Sequence, residues 1–420
     1  MFSSFNKPRR VVISGFGCVS PIGIGREAYW KGLETGISGV AEISGFDASN
    51  SPVRIAAEIK DFNNDELPIK DRKHVPRTVP LALSAAWEAI LDSEIKPQEL
   101  SLEEKRRFGV VLGTGGGGLS FTEKQYKHWF GGEGRKASVY TIPSSTHGGL
   151  SSEISMVYGF HGLSHIVSTG CTSSTDAIAY AAQHISLGKT DFMITGGVDS
   201  PIAPGILEGF NLMTVLTSKW NDEPEKASRP FSKDRSGIVL GEGAWVFVLE
   251  TLESAKSRNA KIYAEVKGYG STCDAYHRVR LEENGVEPAR AMRMALEDAD
   301  LDFSDVNYIN LHGTSTKIND RIETQAVKKV FGKYAYDVKT SATKSQIGHP
   351  QGASGAAGIG SALLAINKKI VAPTINLDVP DDDCDLDYTP NKAVSRSVDI
   401  ALCNCIGFGS KNSALVLGKI

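Results

Sequence analysis

The 420-residue sequence has no uninterrupted apolar stretch long enough to cross a bilayer, and Met1 to Arg10 carry no apolar signal region. Neither a membrane span nor a secretory leader is expected. Cysteine is scarce: six residues, at positions 18, 171, 273, 384, 403 and 405, are too dispersed for a disulfide framework. A reducing, cytoplasmic setting fits that usage. Charge of one sign is also missing, since the formal net charge is −3. The chain as a whole repels nucleic acid and anionic membrane, so neither is an expected partner, and an acidic partner must be met by a local basic patch. Nucleotide signatures are incomplete. Gly113-Thr114-Gly115-Gly116-Gly117-Gly118 is not completed by Gly-Lys-Ser/Thr, and Gly15-Phe16-Gly17 lacks the third glycine of a dinucleotide fingerprint. Close backbone packing or a pocket wall is the expected role of these glycines.

What is present is an ordinary globular balance, 41% hydrophobic and 23% charged, in a chain long enough for two domains or two halves of a large one. A buried-strand pattern opens the chain at Arg10–Gly17, and a comparable one recurs at Ile262–Gly270; both end in Gly-aromatic-Gly. Strands at 108–112, 166–168, 192–195 and 245–249 follow the first opening, with helical patterns at 79–91 and after Cys171. The second opening is followed by helices near 288–298, 320–330 and 353–366, and by strands near 308–311, 338–341, 399–405 and 413–417. Strands separated by helices imply crossovers and a layered α/β architecture. The similar openings suggest two related halves, 1–258 and 259–420, joined near Glu253 to Ala260. After Cys171, Ile178, Ala181, Ala182 and Ile185 share one helical face and Gly188 is a plausible cap. That helix and the Ala/Gly-rich one near 353–366 are narrow enough to lie back to back.

Cys171 follows a short apolar stretch and a Thr169-Gly170 turn, at a helix start. There the positive end of the helix dipole favours the thiolate, the form that attacks a carbonyl. His312, in Leu311-His312-Gly313-Thr314-Ser315-Thr316, and His349, in Lys344-Ser345-Gln346-Ile347-Gly348-His349-Pro350, stand just past predicted strands, where a scaffold presents reactive groups. No second ligand stands at zinc-like spacing beside either histidine, so a metal is not expected.

These residues closely resemble the β-ketoacyl-acyl carrier protein synthases, the elongating condensing enzymes of the thiolase superfamily. The resemblance spans the chain, through the Gly170-Cys171-Thr172-Ser173 elbow, Ser228-Arg229-Pro230-Phe231, Asp274-Ala275-Tyr276-His277, the two histidine loops, Pro373-Thr374-Ile375-Asn376-Leu377 and Gly407-Phe408-Gly409. It implies a thiolase-like α-β-α-β-α fold, Cys171 as acyl carrier, and an oxyanion hole from the N–H groups of Cys171 and Phe408. It also implies His312 and His349, both neutral, as donors to the enolate of a decarboxylated malonyl group. Lys344 would reach Glu323 to fix the histidine surroundings, mostly as a structural ion pair, and Phe408 would act as a gate. Thr314, Thr316, Asp320, Gly407, Gly409 and Gly116 would contact substrate, and no cofactor is implied.

Within that resemblance, Gly170 before Cys171 and Asn319-Asp320-Arg321 look like the ketosynthase subunits of type II polyketide synthases, and Gly116 implies a widened acyl pocket. The favoured expectation is therefore polyketide chain building. The alternative is a fatty-acid elongation synthase; a non-catalytic chain-length factor is disfavoured by Cys171 and both histidines, and a thiolase by its loops. The implied partners are acyl- and malonyl-loaded carrier protein, with dimerisation either to an identical chain or to a chain-length factor. Lys70, Arg72, Lys73, Arg77 and Lys219 are the docking cations for an acidic carrier. Lys411, after the gate, has no assigned role.

Overall fold

A computed structural model describes residues 8–63, 65, 67 and 74–420; Lys70, Arg72 and Lys73 lie outside the described residues. Among the described residues the main sheet has eleven strands, and apart from the short Gly23–Ile24 they are β1 (Val11–Ser20), β2 (Phe108–Gly113), β3 (Ser164–Val167), β4 (Phe192–Asp199) and β5 (Gly243–Thr251), then β6 (Ala264–Cys273), β7 (Tyr308–Asn310), β8 (Lys339–Ser341), β9 (Ile400–Gly407) and β10 (Lys411–Gly418). Five helices pack on them: α1 (Thr78–Asp92), α2 (Ser173–Ser186), α3 (Val286–Asp298), α4 (Lys317–Phe331) and α5 (Ser354–Lys368).

The strand order is β8-β7-β9-β10-β6-β1-β5-β4-β2-β3. Counting the strands of each half from its own first strand, both read 3-2-4-5-1 from the outer edge inward. Strand directions repeat as well: β2 runs parallel to β3 and β4, and β7 runs parallel to β8 and β9. The halves meet where β1 and β6 pair antiparallel. Those are the two strands whose Gly-aromatic-Gly openings look alike in the sequence.

The glycines explain the likeness. A Cβ on Gly15 or Gly17 would lie 2.1 or 2.2 Å from the carbonyl oxygens of Ala89 and Ala85 on α1; one on Gly270 or Gly268 would lie 2.1 or 2.2 Å from those of Ala291 and Ala295 on α3. Each half thus presses an outer helix onto its first strand through two glycines set against alanines four residues apart, a spacing that faces one side of a helix. No other side chain fits at that separation.

Three hydrophobic cores stack through the molecule. One joins α1 to the outer face of β1, β2, β4 and β5, and another joins α3 and α4 to the outer face of β7, β9 and β10. Between them α2 and α5 fill a central layer, contacting strands of both halves. This is the five-layer α-β-α-β-α arrangement, and the Ala-rich helix after Cys171 and the Ala/Gly-rich α5 do lie back to back. Ala356 N–H donates to Ser174 Oγ at 2.9 Å, and a Cβ on Gly355 would fall 2.0 Å from Thr175 Oγ1.

Candidate active site

β3 leads to Cys171 through Thr169 and Gly170. Gly170 has φ +72°, left-handed backbone that favours glycine. Its carbonyl accepts from Ser173 Oγ at 2.5 Å, while Thr169 N–H donates to the same hydroxyl at 2.9 Å. The reversal sets Cys171 on a 3₁₀ turn, Gly170–Thr172, that runs into α2. Asp176 clamps the turn by accepting from Thr169 Oγ1 at 2.5 Å and Thr172 Oγ1 at 3.0 Å, and it also accepts from Tyr269 Oη on β6 at 2.8 Å.

His312 and His349 come from the loops after β7 and β8. With Cys171 they line one cavity of about 590 Å³, together with Phe408, Thr314, Thr316 and Gly407. One ring nitrogen of each histidine and the Cys171 sulfur lie within 4.8 Å of one another, and all three residues are buried. The rings stand nearly perpendicular, 5.5 Å apart. Three such donors also match part of a zinc-type set, but the Lys344 ammonium, 3.2 Å from His312 Nδ1, opposes a second cation there. Burial drives the pKa of both histidines well below the ordinary value, with the Lys344 charge adding to it. Both imidazoles are neutral. His349 Nδ1 accepts from Gln351 N–H at 3.0 Å, so its proton is on Nε2.

The thiol departs from the sequence expectation. Helix-start geometry predicted a thiolate; instead burial pushes Cys171 up to about 11, although the Lys344 charge and hydrogen bonds from Phe408 and Cys171 N–H favour ionisation. Desolvation outweighs the dipole, and the resting sulfur is protonated. The same N–H groups of Cys171 and Phe408 are poised for negative charge beside the sulfur.

Lys344 and Glu323 also depart from expectation, because they make no direct ion pair among the described residues. Lys344 Nζ donates to the His312 carbonyl at 2.7 Å. Glu323 accepts from the N–H groups of His312 (2.7 Å) and Gly313 (2.8 Å) and from Asn404 Nδ2 (2.6 Å). Burial lifts its carboxyl to about 7. The two side chains hold the His312 backbone from opposite groups.

Asp320, expected at the substrate, is fully buried away from the cavity. It pairs with Arg235 at 3.3 Å and accepts from Phe231 N–H (2.9 Å) and Thr314 N–H (3.0 Å), bracing the His312 loop. Gly409 is not in the cavity lining, and neither is Gly116, whose N–H donates to Asp199 at 2.9 Å. Of the basic residues, Arg77 is engaged with Glu242 through bonds of 2.7 and 2.8 Å, while Lys219 is exposed over the Trp220 ring. Sequence reasoning missed Asp176, Asn404 and Cys405. The available signal was polar residues at buried strand positions, as in Leu402-Cys403-Asn404-Cys405.

Residues 8–255 match the model for the β-ketoacyl synthase N-terminal domain, and residues 263–378 match that for its C-terminal domain. The chain belongs to the β-ketoacyl synthase family. It is 41% identical to a 3-oxoacyl-[acyl-carrier-protein] synthase 2 of Coxiella burnetii, over 98% of this chain and 99% of that one. It is 39% identical to the protein of the same name from Vibrio harveyi, over 98% and 99%. Among solved structures it is similar to the ishigamide ketosynthase/chain length factor (TM-score 0.91, 34% identity, 98% and 100% covered). It is also similar to a type II PKS ketosynthase bound to a hexaketide, in complex with its acyl-carrier protein (TM-score 0.89, 32%, 98% and 100%).

Proposed function

We propose that this chain is an elongating β-ketoacyl-[acyl-carrier-protein] synthase, joining a Cys171-bound acyl group to a malonyl-derived unit with loss of carbon dioxide. The observation that carries this reading is the Cys171 sulfur within 4.8 Å of two neutral imidazoles in one buried cavity. Cys171 attacks the acyl thioester; the carrier thiol leaves with the proton that Cys171 gives up. Malonyl thioester then binds, and cleavage of its carboxyl C–C bond leaves the electron pair as an enolate, which His312 and His349 Nε2–H groups stabilise. The enolate carbon attacks the acyl-Cys171 carbonyl. The tetrahedral oxyanion rests on the N–H groups of Cys171 and Phe408, and its collapse breaks the C–S bond and expels the Cys171 thiolate, which takes a proton from solvent to return the thiol. Residues 1–258 supply the nucleophile in this scheme, and residues 259–420 supply both histidines and the Phe408 gate.

The curated relatives, at 37–41% identity, carry the synthase 2 name, which supports the fatty-acid alternative over the polyketide expectation. Polyketide building stands as a second reading because one of the similar solved structures is a type II PKS ketosynthase bound to a hexaketide. The partner is acidic carrier protein, and the setting is cytoplasmic; no helix among the described residues is long and apolar enough to cross a membrane. A dimer fits the place of β3 at the sheet edge among the described residues and the exposed Trp129, Phe130, Val139 and Ile142.

Incubation with malonyl-carrier protein plus saturated or β-keto acyl-carriers, read by mass spectrometry, tests both readings. Elongation of saturated acyl chains by one extender unit is the expected result. Preference for β-keto chains moves the assignment to polyketide building, and no elongation of either overturns the proposal. Size-exclusion chromatography with and without Trp129→Asp tests the dimer, which the substitution should disperse.

A further inference from the structure

Cys405 lies on β9, three residues before Phe408, and is 1% exposed. Its sulfur is 3.1 Å from the carbonyl oxygen of Cys171 and 3.4 Å from His312 Nδ1. Burial raises its pKa far above the ordinary thiol value, so it keeps its proton. His312 Nδ1 therefore has two polar neighbours, the Cys405 thiol and the Lys344 amine, and both carry hydrogen. The one Cys405 proton points to the Cys171 carbonyl, so Lys344 Nζ is the donor that faces Nδ1; Nδ1 is then the lone-pair nitrogen and Nε2 holds the proton that an enolate needs.

We infer that Cys405 is a positioning residue: one thiol that touches both the nucleophile's turn and the back of the facing imidazole, fixing their separation. Lys344 cannot replace it, because its shortest bond is to the His312 carbonyl and it has no contact with the Cys171 turn among the described residues. The thiol gives its one proton to the Cys171 carbonyl and rests its large sulfur against the ring, so it links the two without competing for Nδ1.

The kinetic part of the test rests on the proposed condensing activity; the spectroscopic part does not. In the full-length protein, Cys405→Ala is expected to slow malonyl-carrier decarboxylation about tenfold by kcat, a loss of transition-state rather than ground-state stabilisation. Acyl transfer to Cys171 should change less than about threefold, and Cys405→Ser, which keeps a donor, should recover most of the lost rate. With ¹⁵N-histidine labelling, wild type and Cys405→Ser should show His312 as the Nε2–H tautomer, and Cys405→Ala should shift the His312 nitrogen signals while leaving those of His349 in place. If Cys405→Ala folds poorly, the His312 signals of Cys405→Ser decide: a changed Nδ1 shift supports the contact. Unaltered His312 signals in every variant, or equal loss of both half-reactions in Ala and Ser alike, would overturn the role. A wild type inactive in both half-reactions with the expected histidine signals would instead remove the proposed function and leave the positioning intact.

Discussion

Lys344 Nζ donates to the carbonyl oxygen of His312 at 2.7 Å while lying 3.2 Å from Nδ1 of the same residue. One side chain thus holds a histidine by its backbone, and its charge adds to the burial that keeps the ring neutral. Its charge also lowers the pKa of Cys171 against the opposing effect of burial.

Lys344→Met should therefore act on two observables. Malonyl decarboxylation should fall by about 10- to 100-fold, of the order seen when a preorganised electrostatic partner is removed. The pH at which iodoacetamide begins to alkylate Cys171 should move upward. Alkylation that keeps its wild-type pH profile would show that the Lys344 charge does not reach the sulfur.

Decarboxylation should not decline with a pKa near 6.5 as the solution is acidified. Both histidines titrate well below that value, so they remain neutral donors where an exposed histidine would already be half protonated. A pH–rate profile for the half-reaction from pH 5 to 8 checks this. A descending limb centred near 6.5 is the contrary outcome.

Glu323 makes stability pH-dependent. Its carboxyl is raised from 4.5 to about 7 in the folded chain, so the fold holds that proton more tightly than the unfolded chain does. The resulting stabilisation is complete below pH 4.5 and is lost as pH rises through 7, amounting to roughly 3 kcal/mol by linkage. Measured against Glu323→Gln by urea denaturation, wild type should lose relative stability between pH 5 and pH 8. Glu323→Ala should be destabilised at either pH, since the His312 and Gly313 N–H groups would be left buried without an acceptor.

Gly116→Phe tests the widened acyl pocket. A Cβ there would sit at ordinary contact distance, 3.5 Å, from Asp199 Oδ1 and Leu119 Cδ1, so the substitution is sterically admissible at its base. Shorter products by mass spectrometry are expected. The wild-type length distribution would separate Gly116 from the acyl chain.

Much of the fold was legible because its signals are local. The strand runs and the helices near 79–91, 288–298, 320–330 and 353–366 match the observed elements closely, since apolar periodicity and small residues report directly on what is buried. The helices Leu119–Phe130 and Gly149–Tyr158 left no such mark. In the first, Leu119, Trp129 and Phe130 are exposed, and in the second the buried pair Leu150 and Ile154 stands among serines and an exposed Met156, so the core-facing stripe is short in both. In the site, Cys171, His312 and His349 could be found from their loops. Cys405 and Asn404 carried only the weak mark of polar residues on a buried strand, and their contacts come from neighbours far away in the chain.

The sequence by itself determined the alternation of strands and helices, the paired glycines that let each outer helix press on its sheet, and the reactive groups available. Only the tertiary structure decided where the protons reside: a thiol protonated despite a helix start, two neutral imidazoles, and a lysine bonded to a carbonyl rather than to Glu323. Protonation follows desolvation and the distances between charges, and both are set by packing among residues hundreds of positions apart.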